Sequence, residues 1–320
     1  MSTVTRIRLG YNNIYVHEGA GGRIAIDAGP DYEGAWGTIV ASVAELPPTV
    51  LATHGHLDHA GLARRWQAAG SRVLLSEADT PLAAGPPLLT EAEAEPFERY
   101  VRAIGAPAEV EAEAIAGLWE RRTWALKATR SSGYPPAGRG GRWPTGLRYE
   151  PFEPDELVAG NVTIGSLAVV SCPGHTPGNL VAVDEGEGWL FSGDQLLPDI
   201  TPTPAIQFVG SQRFASLPAF IDSLRGLRGR AGRCFPGHGE PFDGVDAAID
   251  GEIEAVEERS ARVLGALGEG PGSTWAVAER IYPRAARRRF WQVVATVQGQ
   301  LDLLAADGRV TATGDGYERL

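Results

Sequence analysis

The sequence predicts an α/β protein built as a layered sandwich, with two sets of strands inside and helices outside. Short apolar strands alternate with helical segments over residues 4–76 and again over residues 162–235. Polar clusters rich in histidine, aspartate and glycine follow several of these strands directly. We therefore expect the polar clusters to collect at the strand ends and to form the functional site there.

The strands are predicted from short runs of apolar and β-branched residues bounded by glycine, proline or charged turns. They span residues 4–9, 13–17, 23–27, 49–52, 72–76, 162–164, 167–171, 180–184, 189–192 and 233–235. Helices of the same repeat are predicted at residues 34–45, 61–69 and 214–227. The first three strands, joined by glycine-containing turns, are typical of a meander.

The composition is that of an ordinary globular protein of 320 residues, with 43% hydrophobic and 22% charged residues. This length suits one large α/β domain with a small appendage. No apolar run approaches the roughly 18 residues that a membrane span needs. The first six residues lead into a strand without a signal-peptide pattern. We expect a cytoplasmic location and no membrane partner.

The formal net charge is -11. This charge argues against indiscriminate binding to a polyanion, although a local basic patch could still bind one. Nucleic acid is therefore not the expected partner. The sequence leaves the oligomeric state open, with a homodimer as one option.

The central motif is the run His54-Gly55-His56-Leu57-Asp58-His59, in which three histidines fall within six consecutive positions. It lies between a short buried strand and a helix and so occupies a strand-to-helix turn. Such a turn sends its side chains in different directions, which suits two metal ions a few Å apart. We predict that His54 and His56 hold one ion and that Asp58 and His59 hold the other. The alternative is a solvated polar loop, but short histidine-rich tracts bind metal.

Three further candidate ligands each follow an apolar strand and are flanked by glycine: His175, Asp194 and His238. Small neighbours let the backbone come close and leave the ligand free to point inward. Five of the six histidines then belong to one site. His17, on a predicted strand, is expected to be an ordinary strand residue. Asp27, at the end of its strand, either forms a turn or accepts a hydrogen bond from the metal-binding loop.

The two cysteines, Cys172 and Cys234, do not form a disulfide framework. Each lies shortly before a candidate ligand histidine, so a thiolate ligand is one interpretation. The other is a small buried residue near a strand end, which we favour because histidines already fill the site.

Residues 80–158 do not fit the repeat and are predicted to be an insertion with helices at 91–104 and 109–128. From 126 to 150 the chain has five basic residues and one acid. This loop is either a lid that holds an anionic substrate or a solvated surface loop. Candidate substrate-binding residues are Arg139, Arg142, Tyr149 and Asn179.

The C-terminal part is predicted to begin with a long helix at 245–267 and a glycine-rich hinge at 268–272. Helices at 274–282 and 285–306 and a strand-turn-strand segment would then make a small winged-helix module. Such modules often bind DNA, but seven arginines against five acids over 275–320 are a weak basic signal. A structural or lid-supporting role is the better interpretation. We place a catalytic domain at 1–243 and this linker helix with its winged helix at 244–320.

The motif His54-x-His56-x-Asp58-His59, followed by His175, Asp194 and His238, resembles the metallo-β-lactamase superfamily over residues 4–240. The resemblance implies a four-layer αββα sandwich, here with a helical insertion and a small C-terminal winged-helix domain. It implies that His54, His56 and His175 hold the first metal and that Asp58, His59 and His238 hold the second. Asp194 would bridge the two.

Together with the C-terminal elements, the chain looks like the glyoxalase II-like subgroup that carries a winged helix, which includes thioester hydrolases and an endoribonuclease. The bridging Asp194 sets it apart from true β-lactam hydrolases, and His56 from flavodiiron proteins, which have glutamate there. The resemblance implies two Zn²⁺ ions, with iron or manganese as alternatives.

The expected activity is hydrolysis of a thioester, ester or lactone in a small anionic substrate by a bridging hydroxide, which Asp58 orients and deprotonates. The alternative is a metal-dependent single-strand endoribonuclease. A third hypothesis is a non-catalytic binding module with a vestigial metal site.

Overall fold

The computed structural model describes residues 1–84, 91–127, 146–198, 205–268, 270–314 and 316–320. Two six-stranded sheets form its centre. The first contains β1 (Thr3–Leu9), β2 (Asn12–Gly19), β3 (Gly22–Ile26), β4 (Thr49–Leu51), β5 (Arg72–Ser76) and β6 (Glu156–Val158), in that spatial order. Its first three strands are antiparallel, and the pairs from β3 to β6 are parallel.

The second sheet has the order β14-β13-β10-β9-β8-β7. Its strands are β7 (Val162–Ile164), β8 (Leu167–Ser171), β9 (Leu180–Asp184), β10 (Trp189–Gly193), β13 (Arg233–Pro236) and β14 (Phe242–Asp243). A separate hairpin, β11 (Gln207–Val209) and β12 (Gln212–Phe214), lies between β10 and β13 in the chain. All five residues of β9 are buried, which is typical of a strand covered on both faces.

In the part of the chain that the structure describes, seven α-helices belong to the sandwich and its insertion. They are α1 (Ala35–Ser42), α2 (Leu57–Ala60), α3 (Ala63–Ala68), α4 (Thr80–Ala83), α5 (Glu91–Ala103), α6 (Ala108–Lys127) and α7 (Ser216–Leu227). The C-terminal part contains α8 (Val245–Leu267), α9 (Thr274–Ile281), α10 (Phe290–Ala306) and the hairpin β15 (Val310–Thr313) and β16 (Gly316–Arg319). None of the described helices combines the length and the apolar sequence that crossing a bilayer requires.

The apolar clusters show how the sheets and helices are layered. One cluster lies between the sheets and joins residues such as Leu51 and Leu74 of the first to Phe191 of the second. A second covers the outer face of the first sheet with α1 and α3, where Trp66 is fully buried. A third covers the outer face of the second sheet with α7 and the first half of α8. This is the predicted αββα arrangement, and the fold class is confirmed.

A fourth apolar cluster joins the C-terminal helices to α5 and α6. Helix α8 contributes to two clusters: Ile249 and Ile253 pack on the second sheet, whereas Val263 and Leu264 pack among α9 and α10. The predicted helix, helix and hairpin of the C-terminal part are present. The domain division at residues 243 and 244 and the winged-helix assignment stay predictions.

Several element predictions were wrong. The helix predicted at 61–69 is present as α3, but a further short helix, α2, begins inside the histidine motif and was not predicted. The helix predicted from residue 285 begins at Phe290, because turns occupy residues 283–289. Strand β6 was not predicted: it has three residues, and only Val158 is buried, so it carries no visible pattern. The basic segment 126–150, interpreted as either a lid or a solvated surface loop, lies largely outside the described residues.

A buried hydrogen bond between His17 and Asp184 joins the sheets away from the histidine motif. Asp184, 4% exposed, accepts a hydrogen bond of 2.7 Å from His17 and bonds of 3.1 Å from the backbone N–H groups of Gly186 and Glu187. Burial opposes ionisation, but these bonds and one from Ser2 outweigh it, so the pKa of Asp184 lies below its usual value.

We expect Asp184→Asn to lower the free energy of unfolding by about 1–3 kcal/mol near neutral pH, since an amide cannot accept from every donor. A depressed pKa stabilises the fold above the pKa of the unfolded chain, and this contribution is lost as the pH falls through the folded pKa. The difference in the free energy of unfolding between wild type and variant should therefore become smaller below about pH 4. Urea unfolding in neutral and acidic buffers measures it, and an unchanged difference would contradict the assignment.

Candidate metal centre

Seven side chains from four segments converge at one edge of the sandwich. The segments follow β4, β8, β10 and β13, so both sheets contribute. The ligand atoms form three overlapping groups in which all atoms lie within 4.8 Å of one another. The residues concerned are His54, His56, Asp58, His59, His175, Asp194 and His238.

The first group contains three imidazoles. Nδ1 of His56 lies 3.0 Å from Nε2 of His54 and 3.1 Å from Nε2 of His175. His54 is fully buried, whereas the other two are partly exposed. Three ring nitrogens therefore face one point that is open on one side.

The second group contains two imidazoles and a carboxylate. Nε2 of His59 lies 3.3 Å from Nε2 of His238. Oδ2 of Asp58 lies 3.4 Å from Nε2 of His238 and 3.9 Å from Nε2 of His59. This group is the more negative of the two.

Asp194 lies between the groups. Its Oδ1 is 3.3 Å from Nε2 of His59 and 3.4 Å from Nε2 of His238. Its Oδ2 is 3.5 Å from Nε2 of His175. The residue after β13, Gly237, lies so close that a Cβ there would be 2.8 Å from Oδ1 and 2.6 Å from the His59 ring. The small residue beside the ligand is therefore a steric requirement, as the sequence suggested.

Hydrogen bonds on the outer ring nitrogens fix the tautomers of three histidines. Asp27 Oδ2 accepts from Nδ1 of His59 at 2.8 Å, and the Tyr11 carbonyl accepts from Nδ1 of His238 at 3.2 Å. The Thr53 hydroxyl donates to Asp27 Oδ1 at 2.8 Å, so it can only accept from Nδ1 of His54, 3.1 Å away. When these rings are neutral, all three Nε2 atoms therefore carry lone pairs directed into the site.

This arrangement fits bound cations. Lone pairs of His59 and His238 face each other and the oxygens of two carboxylates, which is repulsive unless a positive ion lies between them. The buried Oδ1 of Asp194 has no hydrogen-bond partner among the described residues. Imidazole and carboxylate donors of this kind hold zinc and other first-row divalent metals.

The pKa values divide the site in the same way. Burial and neighbouring histidines lower the pKa of His54 well below its usual value, and burial lowers that of His175 to about 3. Burial also opposes charge on His59 and His238, but the nearby carboxylates outweigh it, raising the pKa of His59 and bringing that of His238 to about 9. The carboxylates thus create a negative potential that favours an extra proton on His59 and on His238. A bound divalent cation would neutralise the same negative charge in place of these protons.

Asp27 takes the second of its two predicted roles, as the acceptor beneath the metal-binding loop. It has a left-handed backbone conformation with φ of 67°, which is unusual outside glycine, and also accepts from the backbone N–H of Thr53 at 2.8 Å. The strain and the three bonds together make it a fixed support for His54 and His59.

Other supporting contacts were missed by the sequence analysis. Asn12 donates from Nδ2 to Oδ2 of Asp58 at 3.2 Å, and the Tyr11 ring stacks on His238 with centroids 4.4 Å apart. Asp79 accepts hydrogen bonds from both loops of the first group. A sequence carries no signal for these contacts, because the partners are between 24 and 227 positions apart.

The two candidate substrate-binding residues that the structure describes, Asn179 and Tyr149, are buried. Asn179 is fully buried and donates to the Cys172 carbonyl and to Gln195. Tyr149 is 3% exposed and bonds to the carbonyls of residues 82 and 83. Both side chains thus make hydrogen bonds inside the protein and are not accessible to a substrate in this conformation. Arg139 and Arg142 lie outside the described residues, and their role stays a prediction.

Cys172 and Cys234 are buried and belong to no candidate metal group among the described residues. Burial raises the pKa of each thiol to about 12. This environment favours the interpretation of both as small buried residues.

Comparison with known proteins agrees with the geometry. A sequence model of the metallo-beta-lactamase superfamily matches residues 7–238. The chain is 28% identical over 154 residues to the probable metallo-hydrolase YqjP of Bacillus subtilis (strain 168), covering 47% of this chain and 48% of YqjP. It is 29% identical over 100 residues to the lactamase-like protein ptaB of Pestalotiopsis fici, covering 31% of this chain and 29% of ptaB. It thus spans about half of the first relative's length and less of the second's.

Two solved structures share the fold over the whole chain. The metallo-beta-lactamase family protein TTHA1429 from Thermus thermophilus superposes with a TM-score of 0.68 at 24% identity, covering 100% of this chain and 98% of that one. A beta-lactamase domain protein from Burkholderia ambifaria gives 0.68 at 22% identity, covering 100% and 92%. With the family match extending over most of the chain, the protein belongs to the metallo-β-lactamase superfamily.

Proposed function

We propose that the protein is a hydrolase with two divalent metal ions that cleaves an acyl bond, such as a thioester, ester or lactone, in a small anionic substrate. The observation that carries the proposal is the position of Asp194, with one oxygen toward His59 and His238 and the other toward His175. A single carboxylate placed between two ligand groups is suited to link two cations.

In this proposal His54, His56 and His175 hold one ion, and Asp58, His59 and His238 hold the other. Zinc suits the donors best, and iron or manganese are alternatives. When bound, the two ions would polarise a substrate oxygen and lower the pKa of a water molecule to around 7.

Asp58 is the candidate acceptor of the proton released in the reaction. Burial would raise the pKa of its carboxyl, but His59 and His238 outweigh it and keep the pKa below its usual value. Oδ2 accepts from Asn12 Nδ2, which aims the carboxylate at the second group. Its side chain is 22% exposed, so the carboxylate can reach solvent.

The choice of an acyl bond rests on the resemblance of the Asp194-containing site to glyoxalase II and related thioesterases and lactonases. The excess of basic residues over 126–150 supports an anionic substrate. The two C-terminal helices with their hairpin support membership of the winged-helix subgroup. A cytoplasmic location is part of the same proposal.

A panel of acyl thioesters, esters and lactones tests the proposal with zinc-loaded protein. We expect turnover of at least one class and a loss of about 1,000-fold in kcat/KM on His56→Ala, since a bound metal contributes several kcal/mol to the transition state. His17→Gln is the matched control, because His17 lies outside the site and glutamine can still donate to Asp184.

If the fully zinc-loaded protein hydrolysed no substrate of the panel, the assignment as an acyl hydrolase would be contradicted. Unstructured RNA belongs in the same panel, and its cleavage in place of acyl substrates would favour the endoribonuclease alternative.

A further inference from the structure

The carboxylate of Asp79 connects two loops of the metal centre. Asp79 ends a short 3₁₀ turn after β5, and its side chain is fully buried. Oδ2 accepts from the Gly55 backbone N–H at 3.0 Å and from the Thr176 hydroxyl at 2.7 Å. Oδ1 accepts from the Gly178 backbone N–H at 2.8 Å.

These donors belong to the segments that carry the first group. Gly55 lies between His54 and His56, and Thr176 follows His175. One buried carboxylate therefore ties together the two segments that supply all three ring nitrogens of the first group. The segments that follow β10 and β13, which carry Asp194 and His238, make no hydrogen bond to Asp79 in the described residues.

The contact is close as well as polar. A Cβ at Gly178 would lie 2.6 Å from Oδ1 of Asp79. A Cβ at Gly55 would lie 2.4 Å from the Cβ of Leu82, in the helix that follows Asp79. Glycine at both positions allows each loop to lie directly against the turn that presents the carboxylate.

Two different carboxylates thus support different ligands. Asp27 orients the rings of His54 and His59 through their Nδ1 atoms. His175 has no such support, because its buried Nδ1 lacks a hydrogen-bond partner among the described residues. Its position depends on the backbone, where Gln207 donates to its carbonyl at 2.9 Å and Asp79 holds the next residues.

We propose that Asp79 is a positioning residue that sets the spacing of the two loops and thereby the affinity of the first group for its metal ion. Among the described residues Asp79 makes no hydrogen bond to a ligand ring, and it acts through the two loops that carry the ligands. The inference rests on the proposed two-metal site and adds the statement that Asp79 supports the first ion position, whereas Asp27 supports ligands of both positions.

Asp79→Asn is the sharpest variant because it keeps the shape and changes only the hydrogen bonding. Whichever way the amide turns, its NH₂ group faces at least one backbone N–H, of Gly55 or of Gly178. The Thr176 hydroxyl can turn to accept, but a backbone N–H cannot. We expect the affinity of the first group for zinc to fall by about 10–100-fold, as when other groups that orient metal ligands are lost.

The experiment is a chelator-competition titration of metal-free protein with zinc, which yields two dissociation constants. Anomalous scattering from crystals grown at limiting zinc assigns each constant to a position. We expect Asp79→Asn to lower the zinc affinity of the first position only. Thr176→Val should lower that affinity less, and Thr176→Ser should retain the wild-type value.

The matched control is Asp184→Asn. Asp184 is also buried and also accepts from two backbone N–H groups, but it contacts no candidate ligand. We expect this variant to lose stability and to retain both zinc affinities. A loss of zinc affinity in the control equal to that in Asp79→Asn would overturn the inference.

The outcomes separate the two proposals. Fewer than two zinc ions bound by the wild type would overturn the proposed function. Two ions in the wild type, with Asp79→Asn weakening both positions equally or neither, would overturn the role of Asp79 alone. If Asp79→Asn fails to fold, the graded Thr176 pair decides, and no change in Thr176→Val would then overturn it.

Discussion

Asp194→Ala is expected to reduce the zinc content from two ions per chain to one or none and to lower kcat/KM by at least about 1,000-fold. The reason is geometric, because the two oxygens of this carboxylate face different ligand groups, at 3.3–3.4 Å and 3.5 Å. Its loss removes a donor from both positions and leaves the facing histidines without a shared counter-charge. Elemental analysis after dialysis measures the zinc, and the acyl panel measures the rate.

Asp222→Ala is the control for this experiment, since Asp222 is an exposed carboxylate on α7 that pairs only with Arg225 among the described residues. It should keep two zinc ions and the wild-type rate. Retention of two tightly bound ions by Asp194→Ala would contradict the bridging position of Asp194.

Asp27→Asn is expected to weaken zinc binding at the second position by about 10–100-fold while largely sparing the first. The amide can still accept from Thr53 through its oxygen, but its NH₂ then faces Nδ1 of His59. That histidine must move its proton to Nε2, which removes the lone pair directed into the site. Asparagine tolerates the left-handed conformation at this position, so the backbone strain hardly changes.

Two measurements test this tautomer argument. The zinc titration should show one weakened constant for Asp27→Asn and two for Asp27→Ala, which removes support from His54 as well. Nitrogen NMR of the metal-free proteins in alkaline buffer, where the His59 ring is neutral, should show its proton on Nδ1 in the wild type and on Nε2 in Asp27→Asn. An unchanged tautomer would contradict the role given to Asp27.

Each candidate ligand carries a local signal in the sequence. Four of them occupy six consecutive positions, and His175, Asp194 and His238 follow apolar strands next to glycine. The structure brings all seven together, although their roles as ligands stay a prediction. The strands were predicted for a similar reason, because alternating or continuous apolar runs are visible in the chain.

What the sequence could not predict depends on tertiary contacts. Asp79 looks like one acid in a polar turn, and only the folded chain brings it to Gly55 and Gly178. Asn179 was predicted to face a substrate and is instead buried, because a polar residue beside a ligand loop can as well satisfy that loop. The start of α10 was misplaced since the turns before it share helix-like hydrogen bonds, such as Arg289 N–H to the Ala285 carbonyl.

Helix α8 sets a practical limit on how the protein can be divided. It is a continuous rod of 23 residues, about 35 Å long at 1.5 Å per residue, that starts two residues past the predicted domain boundary. Its first turns cover the outer face of the second sheet. A shortened protein ending at residue 243 would therefore expose the apolar residues of that face to solvent. Helix α8 therefore connects the C-terminal part rigidly to the sandwich, and we expect the two to unfold in one cooperative transition.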